Sequence, residues 1–486
     1  MPRRPLRTSG AAEASLAPAL RALRTELGVP DGFPAAVLDE AERAAAVPRP
    51  PGPAPADATG LPFFTVDPPG SADLDQAVHL SRRDVGGYRV HYAIADVAAF
   101  VAPGGTIDSE AHRRVQTLYF PDGSVPLHPP VLSAGAASLL PGETRPALLW
   151  RIDLDAEGRT VTAGVRRAYV CSRTRLDYAT AQRRIDDGTA EEPLALLKEI
   201  GLLREALERE RGGVSLAVPE QEIARHDGAY ALAFRAPLPT EGWNAQLSLL
   251  TGMAAADIMI GSGTGVLRTL PTAPLGEVAR LRLTARALRI DWPHHVPYAE
   301  VIRSLDPRVP RHAAFLAECT SLLRGAGYTV FTGGRIPEPS VHAAVAHAYT
   351  HCTAPLRRLV DRYTGELCLA ADAGQGVPEW VLSALEALPA EMAAGARRAG
   401  TVERECIDLV EAALLRDRVG DTFTGLVVDV KENDPSAGTV QLSDPAVVAP
   451  IAGDGGLPLG EPLRVRLTRA DPEARPGTAK VLFAPA

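Results

Sequence analysis

Leucines at 16, 20, 23 and 27 in "EASLAPALRALRTELGV" recur at spacings of three and four, the apolar stripe of an amphipathic helix. "PAAVLDEAERAAAV" does the same, so residues 13–46 read as two or three short helices. "PRPPGPAPADATG", residues 48–60, is dense in Pro, Gly and Ala and predicts a linker or an extended wrap, with a boundary near residue 55. From residue 61 the period changes. "LPFFTVD", "YRVHYAIADVAAFV" and "TVTAGVRRAYVCSRTRLDY" are β-branched and aromatic, and predict strands. Residues 176–212 read as charged helix, and "WNAQLSLLTGMAAADIMI" as a long buried one. "PRHAAFLAECTSLLRGAG" and the stretch from "VPEWVLSALEAL" to "EAALLRDRV" read as amphipathic helices. The last 66 residues return to short β segments divided by Gly, Pro, Asn and Asp, the spacing of a small closed barrel. No internal repeat is evident.

Composition narrows this picture only slightly. Of 486 residues, 46% are hydrophobic and 23% charged, which is ordinary for a chain with a sizeable core. Only three of the 51 basic residues are lysines, a coding bias rather than a functional signal. The net charge of −8 argues against a basic coat for nucleic acid, but not against an enclosed basic channel. Five scattered cysteines form no C-x-x-C pair, which disfavours a disulfide framework or a zinc site and fits free thiols in a reducing compartment. No apolar run reaches the length of a membrane span, and no apolar stretch follows "MPRRPLRTSG". The expectation is a cytoplasmic protein without membrane association.

Candidate chemistry begins at "TVDPPGSADLDQAV", residues 65–78. Asp67, Asp73 and Asp75 fall within nine residues, with Pro68, Pro69 and Gly70 supplying a sharp bend. Asp73 and Asp75, two apart, would share one side of an extended segment. Three close carboxylates repel one another, and a hard divalent cation with oxygen ligands would relieve that. A solvated acidic loop accounts for the same residues equally well. A second cluster weighs for the metal: "AYTHCTAPLRRLVDRY" gathers Arg357, Arg358 and Arg362 at a helix start after Pro355. Planar, permanently charged guanidinium groups suit phosphate oxygens, and a helix N-terminus adds donors. A salt-bridged helix surface is the bland alternative.

These blocks resemble the RNB-domain exoribonucleases, the ribonuclease II and ribonuclease R family. "FFTVDPPGSADLDQAVHL", "YRVHYAIADVAAFV" with Asp96, "RRVQTLYFPDGSVPLHPPVLSAGAASLLPGETRPAL", "SRTRLDYATA", "GGVSLAVPE" and "THCTAPLRRLVDRY" follow the family's order across residues 61–410. The resemblance implies 3′-to-5′ hydrolysis of single-stranded RNA to nucleoside 5′-monophosphates, with magnesium, or manganese in its place. It implies that Asp67, Asp73 and Asp75 hold metal, and that Asp75 is the acid most needed for cleavage. It implies that Arg357 holds the scissile phosphate and that Tyr119 stacks on a base near the 3′ end; read without the family, Tyr119 is a core tyrosine. Arg358 and Thr353 of the same run are assigned to substrate binding.

The chain departs from the family at four places. Gln76 stands where a fourth aspartate is usual; it keeps an oxygen without the charge, a weaker metal ligand or a water holder. Ala354 and Leu359 replace a serine and a tyrosine around Arg357. Asn244 and Gln246 stand where acids often open the long buried helix. About 55 helix-leaning residues cannot hold the two cold-shock barrels that commonly precede the family's catalytic body, which implies a shallower RNA path.

The expected fold class is α+β. Residues 1–55 would be a small helical module, for which a helix-turn-helix is one form. Residues 56–415 would be an RNB catalytic domain of mixed β-sheets surrounded by helices, and residues 420–486 an OB-fold RNA-binding barrel. A monomer acting on single-stranded RNA is expected. The rival readings are an RNA-binding protein on an RNB scaffold with weak or lost catalysis, and a phosphodiesterase acting on DNA or small nucleotides.

Overall fold

The leucine stripe forms α1 (Ala11–Glu26) and the alanine-rich segment forms α2 (Ala35–Ala46). The computed structural model describes residues 11–226, 229–431 and 433–486; the first ten residues of the expected N-terminal module lie outside these. The two helices form, but not as a self-contained module. Leu16, Leu20 and Leu23 of α1 enter a core with residues 402–415 and the C-terminal barrel, whereas Val37 and Ala41 of α2 enter a different core under the main sheet. This corrects the helix-turn-helix expectation: each narrow apolar stripe is covered by the body instead of by the other helix. Residues 48–55 wrap the body, with Arg49 N–H bonded to Ala99 O at 2.7 Å.

The main sheet carries the site. Its strands are β1 (Ala56–Asp57), β2 (Phe63–Asp67), β3 (Gln76–Arg82) and β4 (Tyr88–Ala95). After α3 (Thr106–Arg114) and the small hairpin β5 (Leu118–Phe120) and β6 (Gly123–Val125) come β7 (Thr144–Leu154) and β8 (Thr160–Asp177). The strand order is β1-β8-β2-β3-β4-β7, and β7 also pairs with β8. The long β8 gives its first part to β7 and its last to β2, so both ends of the sheet meet on it. Alternation sorts the side chains. Val78, Val90, Tyr92, Trp150 and Ile152 face one core, and Phe63, Ala77, Ala93, Leu149 and Val170 the other.

Helices cover the first face: α4 (Tyr178–Asp186), α5 (Glu192–Glu210) and, after the hairpin β9 (Glu220–His226) and β10 (Ala229–Arg235), α6 (Pro239–Ser262). The apolar α6 is the long buried helix expected, and Gly263 ends it in the left-handed conformation. β11 (Gly265–Thr269) follows, then α7 (Leu275–Ala287), α8 (Tyr298–Ser304) and α9 (Pro310–Glu318). β12 (Gly327–Phe331) pairs back onto β11, and β13 (Val341–His342) pairs with β14 (His347–Ala348). α10 (Leu359–Asp372), α11 (Glu379–Leu385) and α12 (Leu388–Leu415) complete the body. The tail closes as a barrel of β15 (Thr422–Lys431), β16 (Asp434–Ser443), β17 (Ala446–Ala452), β18 (Pro462–Ala470) and β19 (Val481–Pro485), in the order β15-β16-β17-β19-β18. The closed barrel is what the spacing predicts, and its five strands fit the OB type that the resemblance implies.

The barrel sits against α12. Glu405 accepts from Gly477 N–H at 2.6 Å and lies 3.4 Å from the buried Lys480 ammonium, and Glu411 accepts from Val448 N–H at 3.1 Å. All five cysteines are buried free thiols. No helix among the described residues is long and apolar enough to cross a membrane.

Candidate active site

β2 ends on Asp67, beside Asp177 of β8. Pro68, Pro69 and Gly70 then turn the chain. Ser71 N–H reaches back to Pro68 O at 3.2 Å, and Gly70 has φ +78°, as a type II turn requires at its third position. Residues 71–75 form no strand; Asp73 keeps solvent contact and Asp75 is buried, yet Asp73 lies close enough to repel both other carboxylates. The loop is pinned by Ser138, whose hydroxyl accepts from Leu74 N–H at 2.9 Å and donates to Ala72 O at 2.7 Å. Leu74 itself is fully buried and anchors the loop from below.

Asp75 faces the second cluster. Its Oδ1 accepts from Leu356 N–H at 2.8 Å, and its Oδ2 lies 3.0 Å from Arg357 Nε. That Nε–H is not aimed at the carboxylate and has no hydrogen-bond acceptor. Burial pushes Asp75 up to about 8 and Asp67 up to about 6, against the pull of Arg357 and with Asp73 adding repulsion to both. The Oδ2 of Asp67 is buried without a partner. The recess thus holds a buried Asp67 oxygen without a hydrogen bond near a guanidinium that is ion-paired with Asp75 but whose Nε–H is poorly directed. The donor set around Asp67, Asp73 and Asp75 is all oxygen, which fits a hard divalent cation. Among the described residues no three carboxylate, imidazole or thiolate groups converge into a ready-made cage.

Tyr119 reaches the same recess by a backbone zipper. Val115 ends α3 with φ +68°, and Gln116 N–H bonds Arg114 O at 2.8 Å, a strained γ-turn for a β-branched residue. The chain then lies along the arginine loop: Leu359 N–H bonds Val115 O at 2.9 Å, and Thr117 N–H bonds Arg357 O at 3.0 Å. Tyr119 follows on β5, partly exposed, in the field of Arg357, Asp73 and Asp75; burial pushes its hydroxyl up to about 12. It is not a core tyrosine.

The remaining arginines have other tasks. Arg358 pairs with Asp361 at 2.8 and 2.9 Å, and Arg362 with Asp108 at 2.5 Å, so neither guanidinium joins Arg357 in a fork. Asp361 also accepts from Ala354 N–H at 2.7 Å, which fixes the turn before α10. Arg358, expected to meet substrate, is thus committed to Asp361 in this structure. Gln76 is likewise committed: its amide nitrogen donates to Thr353 O, tying the acid loop to the arginine loop. Thr353 acts here through its carbonyl, and its side chain is buried. Asp96 pairs with Arg167 at 2.9 Å, and Arg167 also binds Glu366, a buried structural network.

The neutral residues of α6 divide. Gln246 turns away and donates to Glu208 of α5 at 2.5 Å. Asn244 donates to the Tyr178 hydroxyl at 3.2 Å, and Ser248 meets the Tyr92 hydroxyl at 3.0 Å. Both tyrosines lie close in space, and Tyr92 also senses Asp67 and Arg357. Arg175 on β8, exposed and opposite Thr65, pulls on Asp67. Ser138, Tyr92 and Arg175 were not singled out from the sequence. Arg175 lies two residues before Asp177 in "SRTRLDY", and its place beside β2 is set by a parallel pairing that no local pattern reveals.

Residues 56–370, well over half of the chain, match the model of the RNB domain, and residues 421–486 match that of the RNase II-type exonuclease C-terminal S1 domain. The chain belongs to the RNB family. It is 26% identical over 401 residues to ribonuclease R of Escherichia coli (strain K12), covering 77% of this chain and 48% of that protein. It thus spans about half the length of the curated relatives it matches. Two solved structures share the fold. Mycoplasma genitalium RNase R in complex with ribose methylated single-stranded RNA has a TM-score of 0.82 at 19% identity, over 96% of this chain and 77% of that one. Yeast Ssd1, a pseudonuclease, has a TM-score of 0.68 at 14% identity, over 87% and 55%. The RNB and OB-type readings stand.

Proposed function

We propose that this RNB chain is a hydrolytic exoribonuclease that degrades single-stranded RNA from the 3′ end to nucleoside 5′-monophosphates. The observation that carries the reading is the convergence of acids and arginine in the recess: a buried Asp67 oxygen without a hydrogen bond, in the field of Arg357, whose Nε–H is ion-paired with Asp75 but not directed at it. A cation would satisfy the carboxylates, and a phosphate oxygen would give the Arg357 donors a better-directed acceptor. Asp67, Asp73 and Asp75 would hold magnesium or manganese. When bound, the ion supplies an activated water and charge compensation at the leaving oxygen.

The chain's own groups do the rest. Arg357 orients the phosphate and balances charge on its oxygens as they become more negative. Its position is fixed by Asp75 on one side and by Thr117 on its carbonyl. Tyr119 keeps its proton at neutral pH and offers a ring for stacking, which suits a base of any sequence.

The test is a time course on a 5′-labelled oligoadenylate with magnesium, manganese or EDTA. A ladder shortening from the 3′ end, abolished by EDTA, supports the reading; an internal cut pattern, or no cut in either metal, rejects it. One observation favours a second reading, RNA binding with weak or lost catalysis. Gln76 stands in for an acid and is committed to Thr353 O, and a pseudonuclease shares the fold. RNA retained on a gel without shortening in either metal would select it.

A further inference from the structure

Arg268 lies directly opposite Tyr328 in the β11–β12 pair, and its guanidinium stacks over that ring with 4.6 Å to the centroid. No carboxylate of the described residues pairs with it, although it is half-buried. The Tyr328 hydroxyl bonds His351 Nδ1 at 2.5 Å, and His351 packs edge-on against Tyr349 at 5.5 Å. Arg268 N–H also bonds Tyr349 O at 2.7 Å, so β11 is stitched to the segment that runs through Thr353 into Arg357.

The cluster is half-buried. Burial pushes Tyr328 up to about 12 and His351 well down, yet both keep solvent contact, as Tyr119 and Arg357 do. An aromatic pair beside an unpaired arginine matches what single-stranded nucleic acid needs: a ring for a base and a permanent charge for a phosphate.

We infer that Arg268, Tyr328 and His351 form a further nucleotide subsite on the arginine-loop side of the recess, in which Arg268 takes a backbone phosphate and the aromatic pair takes a base. The inference rests on the RNA reading above and adds a place where the strand is held away from Asp75.

The test is equilibrium binding of a fluorescein-labelled oligoadenylate in EDTA, across a salt series, read by anisotropy. Wild type, Arg268→Ala, Arg268→Lys and Tyr328→Leu are compared, each checked by thermal melting. Losing one phosphate contact on a single strand lowers the slope of log affinity against log salt by about 0.7. Arg268→Ala is therefore expected to lose about tenfold in affinity together with that slope change, and Arg268→Lys to keep the slope. Tyr328→Leu is expected to lose about tenfold with the slope unchanged. Wild-type affinity and slope in Arg268→Ala overturn the subsite. If Arg268→Ala does not fold, wild-type affinity in Tyr328→Leu overturns it instead. Absence of RNA binding by the wild-type chain rejects the RNA reading itself, a result distinct from both.

Discussion

Arg357 and Arg362 stand five residues apart, and their surroundings give them opposite roles. Arg362 is buried against Asp108 and also donates to Val101 O at 2.8 Å. Removing it leaves a buried carboxylate unpaired, so Arg362→Leu should destabilise the fold by about 3–5 kcal/mol in chemical unfolding. Arg357 has solvent contact and an unused donor. Arg357→Ala leaves the buried Asp75 without its ion-pair partner and should lower the melting temperature, though less than Arg362→Leu because Arg357 itself keeps solvent contact, and should slow cleavage about 100- to 1000-fold, the range for losing one preorganised charge donor. If Arg357→Ala melts as low as Arg362→Leu, the division of roles is wrong. Tyr119 makes a finer test. Tyr119→Phe should keep RNA affinity and Tyr119→Ala should weaken it by about 1–3 kcal/mol, measured as a shift in dissociation constant.

At the scale of elements, the site is a set of loops held by packing that leaves no room for error. Gly252 of α6 lies against the segment carrying Tyr349 and Thr350; a Cβ there would meet Tyr349 Cε2 at 2.2 Å and Thr350 O at 2.5 Å. Gly252→Ala should therefore push that segment, and Arg357 beyond it, out of register. The expected result is a fall of more than tenfold in cleavage rate, because a displacement of about 1 Å can cost 100-fold. An unchanged rate would show that the arginine loop is not positioned by α6.

The same scale shows what was legible in the sequence. Runs of β-branched and aromatic residues identified the strands of the main sheet, an unbroken apolar run identified α6, and short β segments between turn residues identified the barrel, because each is a local feature of composition. Asp67, Asp75 and Arg357 were legible as clusters, because the turn residues and the basic run lie beside them. The Gln76 tie to Thr353 and the Tyr119 zipper were not: they join segments 277 residues apart and across the γ-turn at Val115, and pairing at that distance leaves no periodic trace. The partners of Arg358 and Arg362 were hidden differently. A basic run looks the same whether it faces phosphate or Asp361 and Asp108, and only burial separates the two.

At the scale of the whole molecule, α12 joins the body to the barrel. Glu411 is buried at that junction, accepting from Gln221 at 2.7 Å and from Val448 N–H at 3.1 Å. Burial pushes it up to about 8, only partly offset by those two hydrogen bonds. A carboxyl with a raised pKa in the folded state binds its proton more tightly there than when unfolded. Its contribution to stability is complete below the unfolded value near 4.5 and is lost as pH rises through about 8. Denaturant unfolding should show stability falling across that window, and Glu411→Gln should flatten the fall. An identical pH profile in the variant would place the titration elsewhere. α1 adds to the same junction, with Leu16, Leu20 and Leu23 buried beside Val402 and the barrel core. The body, barrel and first helix thus share one apolar core rather than meeting through a linker.

We propose that the recess around Asp75 and Arg357 hydrolyses the last phosphodiester of an RNA strand. The most direct measurement uses RNA labelled only in its 3′-terminal linkage, with magnesium, and compares wild type with Asp75→Asn under conditions where both bind the strand. The account predicts that wild type releases the label at once as a nucleoside 5′-monophosphate, while Asp75→Asn binds equally and releases it at least about 100-fold more slowly. Bound RNA that keeps its label in the wild-type protein would contradict it.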